Sequence, residues 1–159
     1  MNMAGTMDSY VSKGDEIKEQ LNHGVEEAGD KARDFEGVKQ GLSGMPGGLD
    51  PDLLQMISDA EEQGRSEARA DIEQTVSNVI DNAKRTGDTL KSDVQQKVSD
   101  DQTASSRLSG ISSKYGKAAI DSARSAIDQN AATGQDLMSA LDSAMSDADS
   151  KISSIKDSL

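Results

Sequence analysis

Catalysis and metal binding both need convergent side chains of suitable basicity, and few residues in this chain meet that demand. The single histidine, His23, stands beside Gly24, and there is no cysteine. Without a second histidine to complete a transition-metal site, or a Glu-x-x-His pair of the kind that builds a di-iron bundle, His23 reads as a surface residue. Carboxylates are abundant, notably Glu26-Glu27, Glu61-Glu62, Asp100-Asp101 and the Asp147-Ala148-Asp149 pair. Asp147 and Asp149 have the spacing of the first two ligands of a calcium loop. The following Ser150-Lys151-Ile152 supplies neither the glycine nor the distal glutamate that such a loop requires. These acids read as a solvated face. The glycines around Gly44 precede a helix, yet no lysine follows in the register of a phosphate-binding loop, and the serines have no base partner. The expectation is a protein that is not an enzyme, with no cofactor, no metal and no small-molecule substrate.

What the spacing does support is packing. Apolar or small residues recur eleven apart at Ile57, Ala68, Val79 and Leu90, and again at Ile72, Ala83 and Val94. Eleven residues make three turns of nearly straight α-helix, so these side chains form a narrow stripe along a rod. In Leu49-Asp50-Pro51-Asp52-Leu53-Leu54, Asp50 can cap the helix and Pro51 suits its first position. Asp52 complements the dipole, and Leu49 can staple onto Leu54.

Upstream, Met7, Gly14, Leu21, Ala28, Phe35 and Leu42 are seven apart, with Val11, Val25 and Ala32 at complementary positions and Lys18 interrupting that row. This is the seam of a coiled coil. Gly14, Gly24, Gly29 and Gly37 each weaken such a helix by up to about 1 kcal/mol relative to Ala, so this segment is expected to dock rather than stand alone. The run from Gly41 to Gly48, with Leu42, Gly44, Pro46, Gly47 and Gly48, cannot continue a helix and reads as a reversing turn.

Downstream, the polar run Asp100 to Ser106 reads as the second turn. A third periodic row follows: Leu108, Ile111, Tyr115, Ala119, Ala123 and Ile127, then Gly134, Leu137, Leu141, Ala148, Ile152, Ile155 and Leu159. Gly87 and Gly134 are weak points where a kink or a break is expected. The divisions are thus 1–42 for an N-terminal amphipathic helix, 43–49 for the Gly/Pro turn, 50–102 for a central long helix and 103–159 for a C-terminal long helix, all in one structural unit.

Leu, Ile, Val and Phe make up only 27 of the 159 residues, and the net charge is −12. That composition borders on disorder and cannot fill a thick core. A thin bundle, completed by a protein partner or by further copies of the chain, reconciles order with composition. The acidity argues against nucleic acid, which needs clustered Lys and Arg, and against an anionic membrane surface. No apolar run is long enough to span a bilayer. The first residues, Met1 to Asp8, contain neither a basic segment nor an apolar stretch, so localisation is expected to be cytoplasmic, or secreted without a cleaved signal peptide.

Leu42-Ser43-Gly44 at the first turn, and Leu108-Ser109-Gly110 before Tyr115-Gly116-Lys117-Ala118-Ala119, resemble the Trp-x-Gly or Leu-x-Gly signature of small helical type VII secretion substrates. That resemblance implies a helix-turn-helix hairpin exported as a helical dimer with a related partner. A second resemblance, carried by Gly29-Asp30-Lys31-Ala32-Arg33-Asp34 and the eleven-residue spacing, is to late-embryogenesis-abundant proteins, and would imply a protective chain. The expectation is therefore an all-α protein, an elongated helical hairpin or three-helix coiled-coil bundle with long helices. It packs through Leu21, Val25, Phe35, Ile57, Ala68, Ile72, Val79, Leu90, Val94, Ile127, Leu141 and Ile152. Its expected role is that of a helical interaction protein, with a cytoplasmic coiled-coil scaffold as the alternative to a secretion substrate.

Overall fold

The computed structural model describes residues 3–159. Met1 and Asn2, with which the first helix is expected to begin, lie outside the described residues. The fold is all-α with long helices: α1 (Met3–Ser43), α2 (Pro51–Thr75), α3 (Asp81–Ser109) and α4 (Lys117–Asp157). A π-helical turn, Val76–Ile80, joins α2 to α3 without interrupting the helix.

The first turn forms where glycine and proline demand it. Gly44 N donates to Gln40 O, closing α1. Gly48 has φ +82, a left-handed conformation that side chains other than hydrogen rarely adopt. Asp50 then caps α2 in an extended conformation, its Oδ1 accepting from Leu53 N at 3.0 Å, with Pro51 at the first helical position.

The second turn lies later than expected. Asp100 to Ser106 remain helical, and α3 ends only at Ser109, with the connection between Gly110 and Gly116. The hydrophobic pattern fades there because the core positions change to polar residues: Asp101 and Ser105 are buried, in register with Leu90, Val94 and Val98. Neither Gly87 nor Gly134 breaks its helix.

The chain forms two compact units, to each of which α1 and α4 contribute a segment. In the unit made of Met1–Glu19 and Ala83–Met145, the start of α1 packs with α3 and most of α4. A Cβ on Gly14 would lie 2.5 Å from Leu137 Cδ1, and one on Gly134 would meet Val98 Cγ2 at 2.7 Å and Met7 Cε at 2.8 Å. On α3, Gly87 faces Met145 and Ile17. Glycines therefore sit at the contacts themselves. They leave room for the opposing side chains of Leu137, Met145, Val98 and Met7 to seat against the helix.

In the unit made of Gln20–Asn82 and Ser146–Leu159, Leu21, Ala28, Phe35, Ala68, Ile72 and Ile80 form the core. Gly24 is the close-approach position, 2.6 Å from Ile80 Cδ1 for an added Cβ. Arg65 on α2 lies over the Phe35 ring on α1, 5.5 Å from its centroid, and donates through Nε to the backbone oxygen of Leu159 at 2.9 Å. It thereby links α2 to α1 and to the residues that follow α4.

The complementary row on α1 also differs from expectation. Val11, Val25 and Ala32 are half-buried, while Ile17 and Gly24, one residue earlier in each heptad, are buried.

Candidate interaction surfaces

Among the described residues, the one ionisable side chain in the core of its unit with no exposure at all is Asp101, at 0%. Its Oδ2 accepts from Asn130 Nδ2 on α4 at 2.9 Å, and its Oδ1 lies 3.2 Å from Lys97 Nζ one turn back on α3. That Oδ1 is itself buried and makes an ion pair without a directed hydrogen bond. Lys97 is half-buried, its stem covering the carboxylate while its ammonium compensates the charge. Asn130 and Ser105 complete a polar layer in this unit. Asp101, expected from the sequence on a solvated face, is instead buried against α4. The signal that could have found it is the seven-residue spacing from Val94 to Asp101, on the same row as Gly87.

His23, Glu61 and Asp147 are engaged along their own helices. His23 Nε2 lies 3.0 Å from Glu27 Oε1, Asp147 Oδ2 lies 2.8 Å from Lys151 Nζ, and Glu61 pairs with Arg65 at 3.0 Å. Among the described residues, no three His, Cys, Asp or Glu side chains converge as a metal site would require. No described helix is long and apolar enough to cross a membrane.

Of the expected packing residues, Leu21, Phe35, Ala68, Ile72, Leu90, Val94, Leu141 and Ile152 are buried, whereas Val25, Ile57, Val79 and Ile127 are half-buried. In the turn, Leu42 is half-buried and Gly44, Pro46, Gly47 and Gly48 are exposed. The π turn explains Val79. Asp81 N donates to Val76 O in an i→i−5 bond, which inserts one residue into the helical repeat, so Ile80 rather than Val79 turns fully inward. Beside this turn an open groove of about 450 Å³ is lined by Glu27, Asp30, Asp71, Thr75, Asn78 and Val79 among others.

Among the described residues, exposed large apolar side chains group in two places, one in each unit, with Val38 and Met45 exposed besides. At the start of α2, Leu53, Leu54 and Met56 are 44%, 54% and 65% exposed. Leu54, expected to staple onto Leu49, instead presents over half its surface to solvent. In the α3–α4 connection, Ile111 is 53% and Tyr115 95% exposed, and Ala119 and Ala123 are exposed as well. The expected packed row from Ile111 to Ala123 is thus corrected: on α4 it is Ile120, Arg124 and Ile127 that turn partly inward. The reason is the shifted turn, which takes Ile111 and Tyr115 out of any helix. A groove of about 560 Å³ runs beside them, lined by Asp100, Thr103, Ala104, Arg107, Leu108 and Ile111.

Charge separates these two surfaces. From Gln40 to Gly64 there is no lysine or arginine but five acids, Asp50, Asp52, Asp59, Glu61 and Glu62. From Gln102 to Ile120 there is no acid but three bases, Arg107, Lys114 and Lys117.

Compared with protein-family models, with curated proteins and with solved structures, the chain matches none of them.

Proposed function

We propose that this chain is a non-catalytic helical interaction protein that meets its partners through the apolar surfaces it leaves open. The observation that carries this reading is the exposure of Leu53, Leu54 and Met56 within the first two turns of a well-capped helix. A chain with so few large apolar residues gains most by burying them. Three grouped in solvent mark a surface completed by another molecule.

The sharpest form of the reading is a secretion substrate, or a partner of one. Both Leu-Ser-Gly triads support it, since each stands at a helix end. Ser43 Oγ donates to Gln40 O at 3.0 Å and Ser109 Oγ to Ser106 O at 2.6 Å, with Gly44 and Gly110 leaving the helix immediately after. The same local device therefore terminates α1 and α3.

The test is site-specific photo-cross-linking in the producing cell, with the probe at Leu54 or Ile111 and a control at exposed Asn22. A discrete adduct at the apolar sites and none at Asn22 is expected; equal labelling at all three, or none at all, refutes the reading. Following the tagged chain in the medium, with the secretion machine intact or disabled, separates export from a scaffold role inside the cell.

A further inference from the structure

The two open surfaces are complementary to each other in chemistry. One presents Leu53, Leu54 and Met56 in a stretch that carries only acids; the other presents Ile111 and Tyr115 in a stretch that carries only bases. A chain with net charge −12 repels copies of itself, and the acid-free stretch 102–120, with Arg107 and Lys114 and with Lys117 paired to Asp121 at 2.9 Å, is the place where that repulsion is weakest. Lys114 Nζ lies over the Tyr115 ring, 5.8 Å from its centroid, so the most exposed aromatic is presented together with a cation. Arg107 borders the groove that leads to Ile111.

We propose that the chain associates with a second copy of itself heterologously, the Leu53–Met56 surface of one copy seating against the Ile111–Tyr115 turn of the next. The inference rests on the interaction-protein reading and specifies its partner. Apolar contact supplies the affinity, while the opposed charges select this pairing over either surface meeting its own kind, which would bring like charges together. Each copy keeps one surface of each type unused, so the contact repeats from copy to copy unless the rotation closes it into a ring.

The experiment is sedimentation velocity on the full chain and on two variants, Leu54→Ser/Met56→Ser and Ile111→Ser/Tyr115→Ser. All four side chains are exposed, and circular dichroism checks that helicity is retained. The wild type is expected to grow in mass with concentration at low salt, with association weakened on the order of tenfold in half-molar salt. Each variant alone is expected to stay monomeric. An equimolar mixture is expected to form dimers and stop there, because only one productive pair of surfaces remains. A wild type that stays monomeric into the hundreds of micromolar overturns the inference, as does either variant associating as strongly alone as the wild type. Binding of the wild type to anionic phosphatidylglycerol vesicles without self-association likewise overturns it, assigning the basic turn to a bilayer. If the chain is monomeric yet cross-links through Leu54 to a different protein, the interaction reading stands and this inference alone fails; if neither occurs, both fail.

Discussion

Asn130 on α4 donates its side-chain amide to the Asp101 carboxylate on α3 across 2.9 Å, in a part of the unit where Asp101 has no contact with solvent. A buried carboxylate is costly unless compensated, and here the compensation comes from two side chains, Asn130 and Lys97. The pair meets only in one register of α3 against α4, which a stripe of Ala, Gly and Val would leave poorly specified.

Replacing Asn130 with Ala should therefore cost about 2–4 kcal/mol, since it leaves the carboxylate under-compensated. The double replacement Asp101→Leu/Asn130→Leu should cost far less, or stabilise the fold, while broadening the amide NMR spectrum as register specificity is lost. Urea unfolding of Asp101→Leu, Asn130→Leu and the double variant gives the coupling. Additive losses would show that the pair does not act as a unit.

Two glycines should respond oppositely to alanine. Gly37 has nothing within 4 Å of an added Cβ, so Gly37→Ala should stabilise by up to about 1 kcal/mol through helix propensity. At Gly134 the added Cβ meets Val98 Cγ2 at 2.7 Å, and valine is stiff in a helix. Gly134→Ala should thus destabilise by about 1–3 kcal/mol despite the same propensity gain. Thermal melts of both variants check the signs.

Asp50→Ala removes the side-chain acceptor for Leu53 N and should cost about 1 kcal/mol, localised to the first turn of α2. Hydrogen exchange should quicken at Leu53 while α3 amides of the other unit are unchanged. Uniform acceleration throughout the chain would contradict a local cap.

The π turn can be tested by deletion. Buried positions step from Ile72 and Thr75 to Ile80 and Ala83, eight residues apart in each case where a heptad would give seven. Removing exposed Asn78 should convert the turn to α-helix, keep the downstream residues inward and leave the melting temperature within a few degrees. Removing exposed Ser92, from the regular part of α3, should rotate every later core residue by about 100° and cause cooperative loss of structure. Equal damage from both deletions would mean that the π turn does not absorb an inserted residue.

The sequence by itself determined the elements and most of the buried rows. Helical period, the Gly41–Gly48 break and the Asp50-Pro51 start are local properties, set by backbone sterics and by side chains acting within a turn of themselves. The row Ile72, Ala83 and Val94 is legible in its eleven-residue spacing and is buried, whereas Val79, eleven from Ala68, is only half-buried because the π turn shifts the repeat. Three matters belonged to the tertiary structure. Asp101 looks like a solvated acid until Asn130, twenty-nine residues away, supplies a partner, and with it the second turn moves to residues 110–116. Gly14, Gly24 and Gly134 look like helix weaknesses until the side chains facing them, Leu137, Ile80 and Val98, show that an added Cβ would crowd the contact. Ile111 and Tyr115 look like core until the turn removes them from the helix. In each case the deciding term is a contact between residues distant in sequence, and period and composition carry no record of such contacts.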